Sequence, residues 1–166
     1  MKRAWKAQFA FRVLGLAGAV GALVCIVLIR KTSIPIGWII RAAPVVAFCH
    51  MVYATYFMSH SPNSRPPMSC ASYHIFSAIL DTGLVPFFIF TAYLSWIDSS
   101  TNAYGWGTIV NDNVVDYNVI LSLFAFSVAT GVFCGVSVIL DVYLATRYEP
   151  ARREGGQPDR ETETQA

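Results

Sequence analysis

The chain has 166 residues, a length that suits one compact domain, yet 55% of them are hydrophobic, 13% are charged and the mean hydropathy is +0.49. That balance is unusual for a water-soluble fold. A formal net charge of +2, divided between the two ends, and the lack of a Lys/Arg stripe interleaved with aromatics exclude a nucleic-acid partner.

Charge is segregated along the chain. Lys and Arg gather in the first twelve residues, the last twenty and the short connections, and the apolar runs between them are nearly free of charge. A helix rises about 1.5 Å per residue, so roughly 20 apolar residues cross a hydrocarbon core of about 30 Å. Four stretches reach that length, at about 9–29, 34–58, 73–97 and 115–145. The ten-residue alternating strands of a barrel are missing, so each span is expected to be a helix.

The first span follows the basic leader Lys2, Arg3, Lys6 and Arg12. Its apolar run, Val13 to Ile29, exceeds the roughly 7–15 residues of a secretory h-region and ends at Arg30 and Lys31 without an A-x-A site, so it reads as a retained span. Within it, Gly15/Ala19, Ala17/Gly21 and Gly18/Ala22 place small residues four apart. Small residues let helix backbones approach closely where the solvent is itself apolar. Gly131 and Gly135 form a GxxxG pair in the fourth span and are the expected mate; a second copy of the chain is the alternative.

The second span carries Arg41 near one end, Pro44, and His50 eight residues from the other end. The third carries Asp81 eight residues in, then Pro86. Antiparallel neighbours bring His50 and Asp81 to one depth, where an imidazole beside a carboxylate lowers the cost of burying both. The pair reads either as a structural bridge or as a proton relay or pH-sensitive lock. Pro44 and Pro86 are expected to kink their spans, and the kinks have two readings, a small polar cavity opened beside the pair or the ordinary bends of an inert bundle. Arg41 has two readings, a side chain snorkelling to the headgroups or a partner for Asp116 near the start of the fourth span. Asp141, near the other end of that span, matches Arg12 in depth, and a salt bridge at the membrane boundary is expected there.

Turn chemistry separates the spans: Pro35 in the first connection, Pro62, Pro66 and Pro67 in the second, Gly105 and Gly107 in the third. The basic residues flanking the spans place both termini on the cytoplasmic side. Arg30, Lys31 and Arg41 fall on the opposite side and dissent. Trp38, Trp96, Tyr104 and Trp106 are expected as aromatic anchors at the outer interface, and Trp5 and Tyr148 at the inner one. The fold expected is all-α: a four-helix transmembrane bundle over 1–148 with a disordered cytoplasmic tail over 149–166.

Cys25, Cys49, Cys70 and Cys134 show no CxxC spacing and no partner histidines, so no metal site is read from them. Cys70 stands at a cytoplasmic boundary and is a palmitoylation candidate. His50, His60 and His74 lack metal-ligand spacing, and no P-loop, GxSxG, HExxH or dinucleotide fingerprint occurs, so neither catalytic residues nor a cofactor are assigned.

At Lys2-Arg-Ala-Trp-Lys-Ala-Gln8, Gly37-Trp-Ile-Ile-Arg41 and Ala71-Ser-Tyr-His-Ile-Phe-Ser-Ala-Ile-Leu-Asp81 the chain resembles uncharacterised multi-pass membrane proteins of filamentous fungi, over all four spans. Its topology is similar to the MARVEL and tetraspan-like arrangement of membrane-organising proteins, without the loop cysteines of a tetraspanin. The resemblance implies no activity. The leading expectation is an integral membrane protein with an organising or interaction role, resting on the small-residue faces, a poverty of buried polar groups and the absence of a catalytic motif. Its partners are the lipid bilayer, other copies of itself or other membrane proteins. A small proton-linked transporter or channel subunit using His50 and Asp81 is the alternative, and an intramembrane enzyme the second.

Overall fold

The structure, a computed structural model, describes residues 2–32, 34–59, 67–110 and 112–154. Four helices carry the fold: α1 (Lys2–Leu28), α2 (Ile34–Ser59), α3 (Pro67–Thr101) and α4 (Asn113–Glu154). All four are long and apolar enough to cross a membrane. Two short strands, β1 (Ile29–Lys31) and β2 (Gly107–Thr108), pair antiparallel and close one end. The strand pair was not expected from the sequence.

Local chemistry sets the helix ends. Pro35 and Pro67 fall in the first turns of α2 and α3, where a missing N–H costs nothing. α3 stops at Asn102, whose φ of 51° is the left-handed cap conformation, with Gly105 at 59° completing the reversal. The Asp98 carboxylate then accepts the Tyr104 and Trp106 N–H groups at 2.8 and 3.2 Å and holds the loop against the end of the helix. At the start of α4, Asp112 caps the free Val114 N–H at 2.8 Å. α4 continues to Glu154, past the boundary expected at residue 148, through the helix formers Ala151, Arg152, Arg153 and Glu154. The remainder of the tail and the Cys70 side chain lie outside what is described.

The helices alternate in direction. Gly15 faces Met51 and Phe133, Gly18 faces Thr130, Gly21 faces Phe126, and Gly131 faces Phe88. α1 is therefore antiparallel to both α2 and α4, and α3 is antiparallel to α4. The α3–α4 seam is the most extensive, and α2 packs far less on α3 than on α1.

Burial follows a repeat of alternating three and four residues. On α3 it takes His74, Ser77, Asp81, Leu84, Phe88, Thr91, Ser95 and Asp98; on α4 it takes Ile120, Leu123, Ser127, Thr130, Cys134, Ser137, Asp141 and Leu144. α1 continues it with Gln8, Arg12, Gly15, Ala19, Ala22 and Ile26. An average step of about 3.5 residues keeps one stripe of each helix facing its neighbours. The stripe is polar at many positions. Among the described residues, fourteen buried polar or charged ones line the interior, which overturns the expected poverty of such groups. Spans that look uniformly apolar hide them because Ser and Thr scattered among Val, Ile and Phe hardly alter the average hydropathy.

Candidate functional site: a buried ionic cluster

The polar stripe is densest where all four helices meet in the half of the bundle that holds both chain ends. Arg12 of α1 stands at the centre. Its Nη2 lies 2.6 Å from Asp81 Oδ2 and 2.5 Å from Asp141 Oδ2, and donates to Ser77 Oγ at 2.5 Å. One amine has two hydrogens for three oxygens. Ser77 and Asp141 take them along the bond directions, and Asp81 makes an ion contact without a linear hydrogen bond. Arg12 Nη1 meets His50 Nε2 at 3.1 Å and Met51 Sδ at 3.6 Å.

Two histidines close the ends of the set. His50 Nε2 is 3.2 Å from Asp81 Oδ1, and His74 Nδ1 is 2.7 Å from Asp141 Oδ1. The result is a chain of contacts, His74–Asp141–Arg12–Asp81–His50, whose side chains are 0–3% exposed. One helical turn away, Gln8 Nε2 donates to the Ser137 carbonyl at 3.4 Å. At about 1.5 Å per residue, His74 lies about 3 Å inside the end of its apolar stretch, Asp141 about 8 Å, Arg12 about 12 Å, and Asp81 and His50 about 14 Å. The contacts climb like a staircase from the end of the bundle toward its middle.

Apolar packing closes the cluster from both directions. Toward the middle lie Ala19, Ala47, Met51, Leu84, Phe88 and Cys134. Toward the chain ends lie Ala54, Phe57, Met58 and Tyr73, with Trp5 and Phe9 packed on them. Phe57 and Tyr73 stack at 3.8 Å, and the Trp5 ring stands edge-on to His74 at 6.0 Å. A charge set apart from water in this way strengthens every contact inside it and makes any unmatched member costly.

Several sequence expectations change here. His50 and Asp81 do lie together, but as one link of a five-residue set. Arg12 and Asp141 meet inside the bundle rather than at its boundary, because Arg12 shares the stripe of Gly15, Ala19 and Ala22 and must point inward with them. Arg41 is exposed, and its guanidinium donates to the Ile29 carbonyl at 3.2 Å rather than pairing with Asp116. Asp116 instead accepts the N–H and hydroxyl of Thr108 at 2.9 and 2.5 Å. The small face of α1 packs on Phe126, Thr130 and Phe133, side chains large enough to fill the groove that glycines leave, and not on the GxxxG pair. Gly131 touches Phe88 of α3, and a Cβ on Gly135 would meet nothing within 4 Å.

The cavity beside the prolines is apolar. It holds about 250 Å³ between α2 and α3, lined by Ala42, Ala43, Val46, Gly83 and Phe87 among others, and includes neither His50 nor Asp81. α2 and α3 each run as one helix through Pro44 and Pro86. Trp106, expected as an exposed anchor, is buried in the core with Ile26, Ile29 and Leu94, since Asp98 pulls its backbone inward. Trp38 and Trp96 are exposed. A polar cavity of about 430 Å³ opens at the loop end beside Lys31, Asp98, Trp106 and Asp116. Its two carboxylates hold the loop and the strand pair, as described above.

His74, Ser77 and Gln8 were missed as cluster members. Their signal was spacing: His74 and Ser77 stand seven and four residues before Asp81, and Gln8 stands four before Arg12, each on the stripe of the charged residue it serves. Among the described residues, no group of three or more His, Cys, Asp or Glu is placed to hold a metal ion. No family model matches the chain, and no curated protein or solved structure is significantly similar to it.

Proposed function

We propose that the protein is an integral multi-pass membrane protein with an organising or interaction role, both termini cytoplasmic, and that the ionic cluster pins its four helices in one arrangement. The observation that carries this reading is the inverted distribution of polarity. Val27, Ile79, Ile89, Val114 and Ile139 are each more than 60% exposed, and the charged set is wholly enclosed. A water-facing bundle would aggregate through such a surface, whereas lipid accepts it. The near-zero exposure of the cluster side chains supports a structural role for it over a conducting one.

The test is capture of the tagged full chain from mild detergent with sizing of what is captured. A discrete complex, with copies of itself or with fixed partners, is the expected result. A lone monomer that drives proton flux in reconstituted liposomes would overturn the reading. That outcome belongs to a second reading, a proton-linked transporter. It is favoured by one observation, the staircase of ionisable groups from the bundle end to its middle.

A further inference from the structure

Arg30 and Arg41 run against the charge asymmetry of the chain, since both stand at the bundle end away from the termini. They share one groove. It opens between the end of α1 and the first turns of α2, holds about 380 Å³, and is floored by Leu23, Ile26 and Val27 of α1 and Val45 of α2. Both arginines are exposed, and among the described residues neither forms an ion pair with an acid.

Local geometry brings the two cations to one level. Arg30 stands just past the end of the α1 span at Leu28. Arg41 is rooted about 8 Å inside the α2 span that starts at Ile36, but a helical side chain leans toward the N-terminus of its helix, and here that is the way out. Its Nη1 would stand 3.9 Å from a Cβ on Gly37, one turn back, and its Nη2 donates to the Ile29 carbonyl at 3.2 Å. The head of Arg41 therefore reaches the residue next to Arg30. Trp38, exposed on the same turn of α2, marks this level as the membrane interface. With one donor engaged on Ile29, the rest of the Arg41 fork is left for an oxyanion.

We propose that this groove binds one phospholipid of net negative charge, with its headgroup phosphate on Arg30 and Arg41 and the start of one acyl chain along Leu23, Val27 and Val45. Cations at the rim and an apolar channel beneath match a molecule with an anionic head and a hydrocarbon tail. A free phosphate uses only the rim and a neutral hydrocarbon only the floor. From Arg30 back to Leu23 the floor runs about 10 Å along α1 toward the middle of the bilayer. Guanidinium pairs with phosphate through two parallel N–H···O bonds, and basic pockets between spans hold anionic headgroups in this way. The inference rests on the reading that the four helices cross a bilayer. It places the lipid in the leaflet away from the chain ends, whichever compartment that leaflet faces.

The test is native mass spectrometry of the full chain in detergent micelles doped with equal amounts of phosphatidylglycerol and phosphatidylcholine of identical chains. One phosphatidylglycerol is expected to stay bound, preferred by roughly tenfold or more, the scale that two basic side chains at a lipid surface allow. Arg30→Gln/Arg41→Gln changes two exposed side chains and is expected to abolish the preference. Val27→Trp fills the groove, keeps both arginines, and is expected to lower retention of the lipid by a similar factor. Should a variant fail to fold, the lipid pair on the unmodified chain still decides. Glycerol phosphate, the headgroup without its chains, is expected not to displace the lipid. Equal retention of the two lipids, a preference unchanged in the double arginine variant, or displacement by glycerol phosphate overturns the site. Failure of the membrane reading gives a separate result: the chain then stays behind when vesicles of phosphatidylcholine alone are floated.

Discussion

Arg12 is the residue on which the interior depends. It is the arginine that both carboxylates share, so removing the guanidinium takes the common cation from two buried acids and leaves each with its histidine. Breaking one partner of a buried ion pair costs about 3–5 kcal/mol, and Arg12→Met is expected to lose at least that in a chaotrope titration in micelles. Arg12→Lys should recover little. A single ammonium cannot present two separate nitrogens, one to the carboxylates and Ser77 and the other to His50 and Met51. The inward course of Arg12 was legible in principle. It stands three residues before Gly15 and seven before Ala19, on the face that small residues mark as buried. It was misread because an arginine in a basic leader resembles a flanking charge, and only packing on three other helices shows which way it turns.

At the level of the helices, length and hydropathy made the four spans readable, and equal depth made His50 and Asp81 readable as a pair. The rest depended on which stripe faces inward. A run of Val, Ile, Phe and Ala is apolar all round, so its periodicity is faint, and the alternation of three and four residues emerges only when Ser, Thr, His and Asp are traced together. The glycines show the same limit. GxxxG spacing pointed at Gly131 and Gly135, but spacing cannot say what stands opposite. A Cβ on Gly21 would meet the Phe126 ring at 2.6–2.8 Å, an overlap that this partly exposed ring must turn out of its place on α1 to relieve. Gly21→Ala is expected to lower stability by about 1–3 kcal/mol, as overpacking does. Gly135→Ala has open space before it and exchanges a poor helix former for the best one. It is expected to be neutral or to gain up to about 1 kcal/mol, and thermal unfolding of the two variants side by side reads the contrast.

Taken whole, the molecule inverts the usual arrangement: an ionic interior inside an apolar exterior, closed at one end by the β1–β2 pair and the Asp98-bound loop, and held at the other by the cluster. In this arrangement each buried charge depends on the presence of the others. Buried ion sets replaced as a unit by neutral groups of similar size are commonly neutral or stabilising, by about 1–4 kcal/mol, whereas halves of them are not. The most direct measurement is therefore the unfolding free energy, in one micelle system, of the triple variant Arg12→Met/Asp81→Asn/Asp141→Asn beside Arg12→Met alone. The account predicts that the triple variant recovers most of the stability that the single variant loses. A triple variant as unstable as the single one, or a single variant as stable as the unmodified chain, would contradict it.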